Sequence, residues 1–201
     1  MRRRYRKGGA MKVIGVCGSP RRQGNSEQLL DVTLGVINAE GIETEKILLA
    51  GKRILPCTAC LKCREEKDGL CHGRDDDLPP ALPAIYDADG LLLATPVYFG
   101  AATAEMTAFV DRVGYVSRAN GGLLDRKVGA PIVVARRAGQ NFTVAQLNYF
   151  FLINGMVVPG ARYWPIAFGG APGEALQDDE GVATVKELGQ NVAWLIKKIR
   201  N

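Results

Sequence analysis

The sequence predicts a doubly wound α/β fold, with one five-stranded parallel sheet and helices on both of its faces. From Lys12 onward, short runs rich in Val, Ile and Leu alternate with longer stretches of helical periodicity. Several of the short runs are apolar at nearly every position, as strands buried on both faces are. At 201 residues the chain has the size of one domain with one well-buried core.

Lys12 to Cys17 (KVIGVC) reads as the first strand, ended by Gly18-Ser19-Pro20. Asn25 or Ser26 is placed to cap a helix whose apolar face holds Leu29, Leu30, Leu34 and Ile37, with Gly41 as its end. Ile42 to Leu49 begins with strand alternation and completes a βαβ unit. Residues 52–78 break the rhythm with a long, polar, cysteine-bearing loop, and loops of that length in compact domains usually carry function. A helix is expected over Leu78 to Asp89, with Pro79 and Pro80 in its first turn; Pro83 argues against it.

Gly90 to Thr95 (GLLLAT) is the third strand, followed by a helix from Thr103 to Ser117. Val128 to Ala135 is the fourth strand, and a helix over Asn141 to Asn154 is capped by Gly155. Met156 to Phe168 holds an irregular fifth strand. Gly181 to Arg200 closes the chain as an amphipathic helix, with Val182, Val185, Leu188, Val192, Leu195 and Ile199 at helical spacing. Right-handed crossovers and five strands suggest the flavodoxin-like order 2-1-3-4-5. The loops after strands one, three and four then converge beyond the carboxyl ends of the strands. The expected division is a flexible basic tail over 1–11 and one domain over 12–201.

The net charge of +5 is carried by Arg2, Arg3, Arg4, Arg6 and Lys7, so the folded body is close to neutral. A disordered leader ahead of Met11 explains the tail better than a nucleic-acid or membrane contact. No apolar run approaches the ~20 residues that span a bilayer, and no signal-peptide core follows the basic residues. A cytoplasmic protein is expected.

Gly18 to Ser26 (GSPRRQGNS) combines small residues, hydroxyl and amide donors, and the charges of Arg21 and Arg22, ahead of a helix N-terminus. That setting suits a phosphate. It is neither the G-x-G-x-x-G dinucleotide motif nor a P-loop, which makes ATP and a Rossmann-bound NAD poor candidates. An ordinary βα turn is the competing reading. Pro96 fixes the chain as it leaves the third strand, and Tyr98 and Phe99 offer flat apolar area, with core packing as the competing reading for both.

GSPRRQGNS resembles the FMN-phosphate loop of the NADPH-dependent FMN reductase and multimeric-flavodoxin group. Thr95 to Gly100 (TPVYFG) resembles that family's second flavin loop, and Ala135 to Gln140 (ARRAGQ) stands where its third follows strand four. The resemblance implies FMN held by Ser19, Arg21, Gln23, Gly24, Asn25 and Ser26 at the phosphate. It places Pro96, Val97, Tyr98, Phe99 and Gly100 about the ring, with Tyr98 favoured over Phe99 for the ring contact, and adds Arg136 of the third loop to the FMN-binding set.

Cys57, Cys60, Cys63 and Cys71 form a C-x2-C-x2-C-x7-C pattern. Four thiolates in this spacing match a [4Fe–4S] cluster, three from one tight turn and the fourth closing from a short loop. Zinc is the rival, with His72, the chain's single histidine, as a possible ligand; structural zinc sites prefer separated knuckles. Cys17 reads as a small buried hydrophobe. The cysteine pattern after strand two resembles the iron–sulfur flavoproteins of anaerobic archaea and bacteria. That resemblance implies a cluster close to FMN, homodimers or homotetramers, and exchange with ferredoxin-like partners.

The expected activity is redox: a [4Fe–4S] cluster coupled to FMN. A cluster-free NAD(P)H-dependent flavin or quinone reductase, with a zinc or structural cysteine loop, is the alternative, and a non-catalytic electron carrier is another. No nucleophile–base pair is visible, which excludes an acid–base hydrolase. Arg112, Tyr115 and Arg136 are candidates near the site, and Asp178, Asp179 and Glu180 for a subunit contact; solvated surface or caps are the simpler readings.

Overall fold

The structure, a computed structural model, describes residues 9–200. The basic tail expected over 1–11 lies outside the described residues as far as residue 8. The elements are β1 (Lys12–Cys17), α1 (Asn25–Ala39), β2 (Glu43–Leu48), α2 (Lys62–Glu66), α3 (Leu82–Asp87), β3 (Gly90–Pro96) and α4 (Ala104–Ala119), then β4 (Val128–Ala135), α5 (Gln140–Ile153), β5 (Ile166–Phe168) and α6 (Asp179–Arg200). The strands form one parallel sheet in the order β2-β1-β3-β4-β5.

Alternation along each strand divides the core between the two faces. Ile14 and Val16 of β1, Leu91 and Leu93 of β3, and Val133 of β4 pack against α3, α4 and α5, with Phe109 and Phe151 at the centre. Val13, Cys17, Leu92, Ala94, Ala130 and Ile132 pack on the other face against α1 and α6. Each fully buried Ile, Leu or Phe contributes roughly 1.5–3 kcal/mol of transfer free energy. Cys17 is 1 % exposed on this second face, as a buried hydrophobe, and burial pushes its thiol up to about 11.

Three local expectations are corrected. Gly24, not Asn25 or Ser26, is the N-cap of α1, and no side chain caps that helix. The Asn25 side chain is taken by a distant loop instead. The single helix expected over Leu78–Asp89 is divided: a 3₁₀ turn at Pro79–Ala81 leads into α3, and Pro83 sits in the first turn of α3, where its missing N–H costs nothing. The cysteine loop contains a short helix, α2, that the sequence did not announce. At the end of the chain, Asp178 accepts hydrogen bonds from Gly181 N at 2.9 Å and Phe168 N at 2.8 Å, and so acts as a cap joining β5 to α6.

Candidate functional site

The carboxyl ends of β1, β3 and β4 bring together the loops that the sequence singled out. One pocket there is lined by Ser19, Arg21, Gly24, Asn25 and Ser26 of the first loop. Pro96, Val97 and Tyr98 of the second loop and Arg136 of the third complete much of the wall. Gln23 and Gly100 do not line it. Gln23 adopts φ 54°, its N–H held by Glu27 Oε2 at 2.6 Å. Phe99 neither packs in the core nor lines the pocket: with φ 51° it stands fully exposed beside it.

The loops are joined by buried polar groups. Thr103 caps α4 through Met106 N at 3.3 Å and donates its hydroxyl to Gly18 O at 2.7 Å. Its own N–H reaches Thr95 Oγ1 at 3.3 Å. The end of β1 is thereby fixed to the start of α4. The third loop leans on the second: a Cβ at Gly139 would lie 2.9 Å from Val97 Cγ1 and 3.2 Å from Gly100 Cα.

A fourth segment, unrecognised in the sequence, closes the pocket. Gly169, Gly170 and Pro172, after β5, line it as well. Asn25 holds this segment, accepting from Gly173 N at 2.8 Å and Ala175 N at 3.3 Å and donating to Ala171 O at 2.9 Å. Arg21 adds a bond to Gly170 O at 3.4 Å. The Asn25 side chain is thus engaged with three backbone groups of this segment while the residue also lines the pocket. The paired Gly169-Gly170 was the available signal.

The pocket is suited to an anion. The first turn of α1 has no side-chain cap, so its N–H groups are left for a ligand, and Arg21 and Arg136 flank the pocket. Glu27, just inside the helix, is neutralised by Lys46 at 2.8 Å. Burial pushes the Glu27 carboxyl up, but the Lys46 ammonium and the Gln23 N–H overcome it and hold the group below the ordinary range. These residues fit a flavin phosphate.

The second cluster lies against α4. Cys57, Cys60, Cys63 and Cys71 line one cavity, closed at its back by Arg112, Tyr115 and Val116. The chain reaches this shape by tight turns: Ala59 and Leu61, between the cysteines, have φ 52° and 61°. Non-glycine residues hold such angles only where the surroundings fix them, and functional sites concentrate them. Cys60 Sγ lies so close to Gly73 that a Cβ there would be 2.6 Å from the sulfur. The 57–63 turn thus packs against the 71–73 segment.

Among the described residues, no three His, Cys, Asp or Glu side chains converge on one metal position. The thiols nevertheless share a field: burial pushes Cys63 up, and Cys71, Cys60 and Cys57 push it further. The N–H of Lys62 lowers Cys60, and Ala59 N lies 3.4 Å from Cys57 Sγ. Four sulfurs and an N–H-rich turn are a donor set that fits an iron–sulfur cluster. His72 also lines the cavity, with its Nε2 hydrogen-bonded to Asp68 at 2.8 Å.

Two of the side candidates belong to this cluster. Tyr115 is half-exposed, with Arg64 over its ring at 5.9 Å. Arg112 is not solvated surface: its side chain is wholly buried and paired with Asp76. Nothing in the periodicity of α4 distinguished Arg112 from an ordinary helix cation. The two pockets have no lining residue in common; α4 lines the cysteine cavity through Arg112, Tyr115 and Val116 and contributes none to the other.

A family described as NADPH-dependent FMN reductase matches residues 11–171. An iron-sulfur flavoprotein of Methanocaldococcus jannaschii is 41% identical over 202 residues, spanning 94% of this chain and all of that protein. An iron-sulfur flavoprotein of Methanosarcina thermophila is 32% identical over 193 residues, 94% of this chain and 97% of that one. Among solved structures, RosB with a bound 8-demethyl-8-formylriboflavin-5'-phosphate intermediate superposes with a TM-score of 0.75 at 20% identity, covering 95% of this chain and 81% of that one. The chain belongs to the NADPH-dependent FMN reductase family and, within it, to the iron–sulfur flavoproteins.

Proposed function

We propose that this oxidoreductase holds FMN at the carboxyl end of its sheet and one [4Fe–4S] cluster on Cys57, Cys60, Cys63 and Cys71, and that it exchanges electrons with a ferredoxin-like protein. The observation that carries the cluster is that all four cysteines of the C-x2-C-x2-C-x7-C pattern line one cavity. When bound, the flavin supplies one- and two-electron chemistry and the cluster single-electron chemistry. The residues of the chain supply the rest. The first turn of α1, with Arg21 and Arg136, binds the phosphate; Pro96, Val97 and Tyr98 form the wall for the ring; and Asn25 holds the closing segment.

Free cysteines suit a reducing compartment, which supports a cytoplasmic location. Among the described residues no helix is long and apolar enough to cross a membrane. The exposed Phe142, Tyr149, Leu152 and Ile153 on α5 support a homodimer or homotetramer. No nucleic-acid partner is proposed.

The test is anaerobic purification followed by iron, sulfide and flavin analysis with a visible spectrum. About one FMN with four irons and four sulfides per chain is expected. Replacing Cys57, Cys60, Cys63 or Cys71 by alanine should remove iron and leave FMN in place. Zinc without iron or sulfide would overturn the cluster. The family description favours a second reading, a cluster-free NAD(P)H-dependent flavin or quinone reductase. Rapid anaerobic bleaching of the flavin by NADPH, unchanged in the cysteine variants, would establish it.

A further inference from the structure

Arg112 is the largest side chain that is wholly buried among the described residues. A buried guanidinium needs its charge and its N–H groups satisfied. Nη1 and Nη2 grip the two carboxylate oxygens of Asp76, the Nη2–Oδ1 bond being 2.9 Å. Nη1 also donates to Leu55 O at 3.0 Å. Asp76 is itself fixed, accepting from Leu55 N at 2.8 Å and Leu78 N at 3.3 Å. That network alone would balance the charge and pin the two ends of the cysteine loop. Of the two N–H groups it leaves, Nε–H points at Cys71 Sγ at 3.3 Å.

We propose that Arg112 is a positioning residue for the fourth cysteine: clamped on Asp76, it aims its Nε–H and its positive charge at the Cys71 sulfur and thereby raises the reduction potential of the centre held there. This rests on the cluster reading above. The physical reason is that reduction adds negative charge to the cluster and its sulfurs. A cationic N–H donor favours the reduced form more than the oxidised one. Arg112 stands on α4 rather than in the loop, so the geometry of the sulfur is set by the folded sheet–helix body. Neighbours outside the metal ligands often tune a centre in this way.

The test compares Arg112→Lys, which keeps a cation without the Nε–H fork, and Arg112→Gln, which removes the charge. Both are purified anaerobically as holoprotein, with FMN content, melting temperature and EPR-monitored potentials measured. FMN content and flavin potential should match the parent protein. The cluster potential should fall, further in Arg112→Gln than in Arg112→Lys. A merely structural arginine would lower the melting temperature and leave the cluster potential unchanged, and that result overturns the inference.

Where a variant does not fold or does not keep iron, the native Arg112 decides. Arg74 also lines the cavity and Arg64 stands over its Tyr115, so protein with Arg74→Lys and Arg64→Lys is grown on 15N-arginine and reduced. Pulsed EPR of the cluster should show a 15N coupling; its absence overturns the inference. Parent protein without iron or sulfide defeats the cluster reading and this inference together. Iron and sulfide present with an unshifted potential defeat the inference alone.

Discussion

Asn25 and Gly173 are hydrogen-bonded at 2.8 Å across 148 residues of sequence, so the first helix of the chain holds the loop that follows its last strand. With Ala175 N and Ala171 O, the one amide side chain satisfies three backbone groups of that loop. Asn25→Ala leaves all three to find water or stay unpaired. An unsatisfied backbone group costs about 1–3 kcal/mol, part of which loop relaxation recovers. FMN affinity is expected to fall roughly 10- to 100-fold. Titrating apoprotein with FMN and following flavin fluorescence measures it; an unchanged affinity would remove the loop from the site.

Glu27 gives a pH dependence of definite sign. The residue is 6 % exposed, and its carboxyl is held below the ordinary range because Lys46 and Gln23 N–H outweigh the effect of burial. A depressed value means the group stabilises the fold fully above its unfolded value of ~4.3 and loses that contribution as pH falls through the lower folded value. Glu27→Gln should therefore be less stable than the parent by about 1–2 kcal/mol at neutral pH. Denaturant unfolding should show the two proteins converging below pH ~4. A constant difference down to strong acid would contradict the ion pair.

Gly139→Ala tests how the third loop supports the second. The residue has φ 92°, and its new methyl would press on Val97 Cγ1. Strain and contact together should cost roughly 1–3 kcal/mol and displace the pocket wall, so FMN binds more weakly. Gly41→Ala is the control, since Gly41 has φ 80° with nothing within 4 Å of the added Cβ. It should lower the melting temperature and leave FMN affinity unchanged. Equal effects on FMN would show that the Val97 contact is irrelevant.

Asp76→Ala leaves the buried Arg112 charge without its partner. Breaking a buried pair from one side costs about 3–5 kcal/mol, which for a domain of this size lowers the melting temperature by roughly 10 °C. The double variant Asp76→Ala with Arg112→Met should recover part of the loss, because no unpaired charge remains. Calorimetry of the single and double variants decides it; additive losses would mean the pair is not a coupled unit.

Much of this architecture was legible because parallel strands buried on both faces leave an unbroken apolar record. KVIGVC, GLLLAT and VGAPIVVA each mark a strand of the sheet, and the loops after them mark the pocket mouth. The cysteine spacing was equally local, since its four cysteines lie within fifteen residues. Other features were not local. The C-terminal half of the pocket wall depends on Asn25, whose residue type suggested a helix cap and whose partners lie about 150 residues away. Phe99 reads as a core residue or ring contact by type, yet a positive φ turns it outward.

The sequence by itself determined the strand and helix order, the Gly18–Ser26 loop as a candidate phosphate site and the cysteine set, because each is written in contiguous residues with a fixed period or spacing. Only the tertiary structure decided that Arg112 is buried against Cys71 and Asp76, that Asn25 holds the closing segment of the pocket, and that the cysteine cavity and the pocket share no lining residue. Those choices depend on long-range packing, where a charge or amide is placed by what surrounds it rather than by its neighbours in the chain.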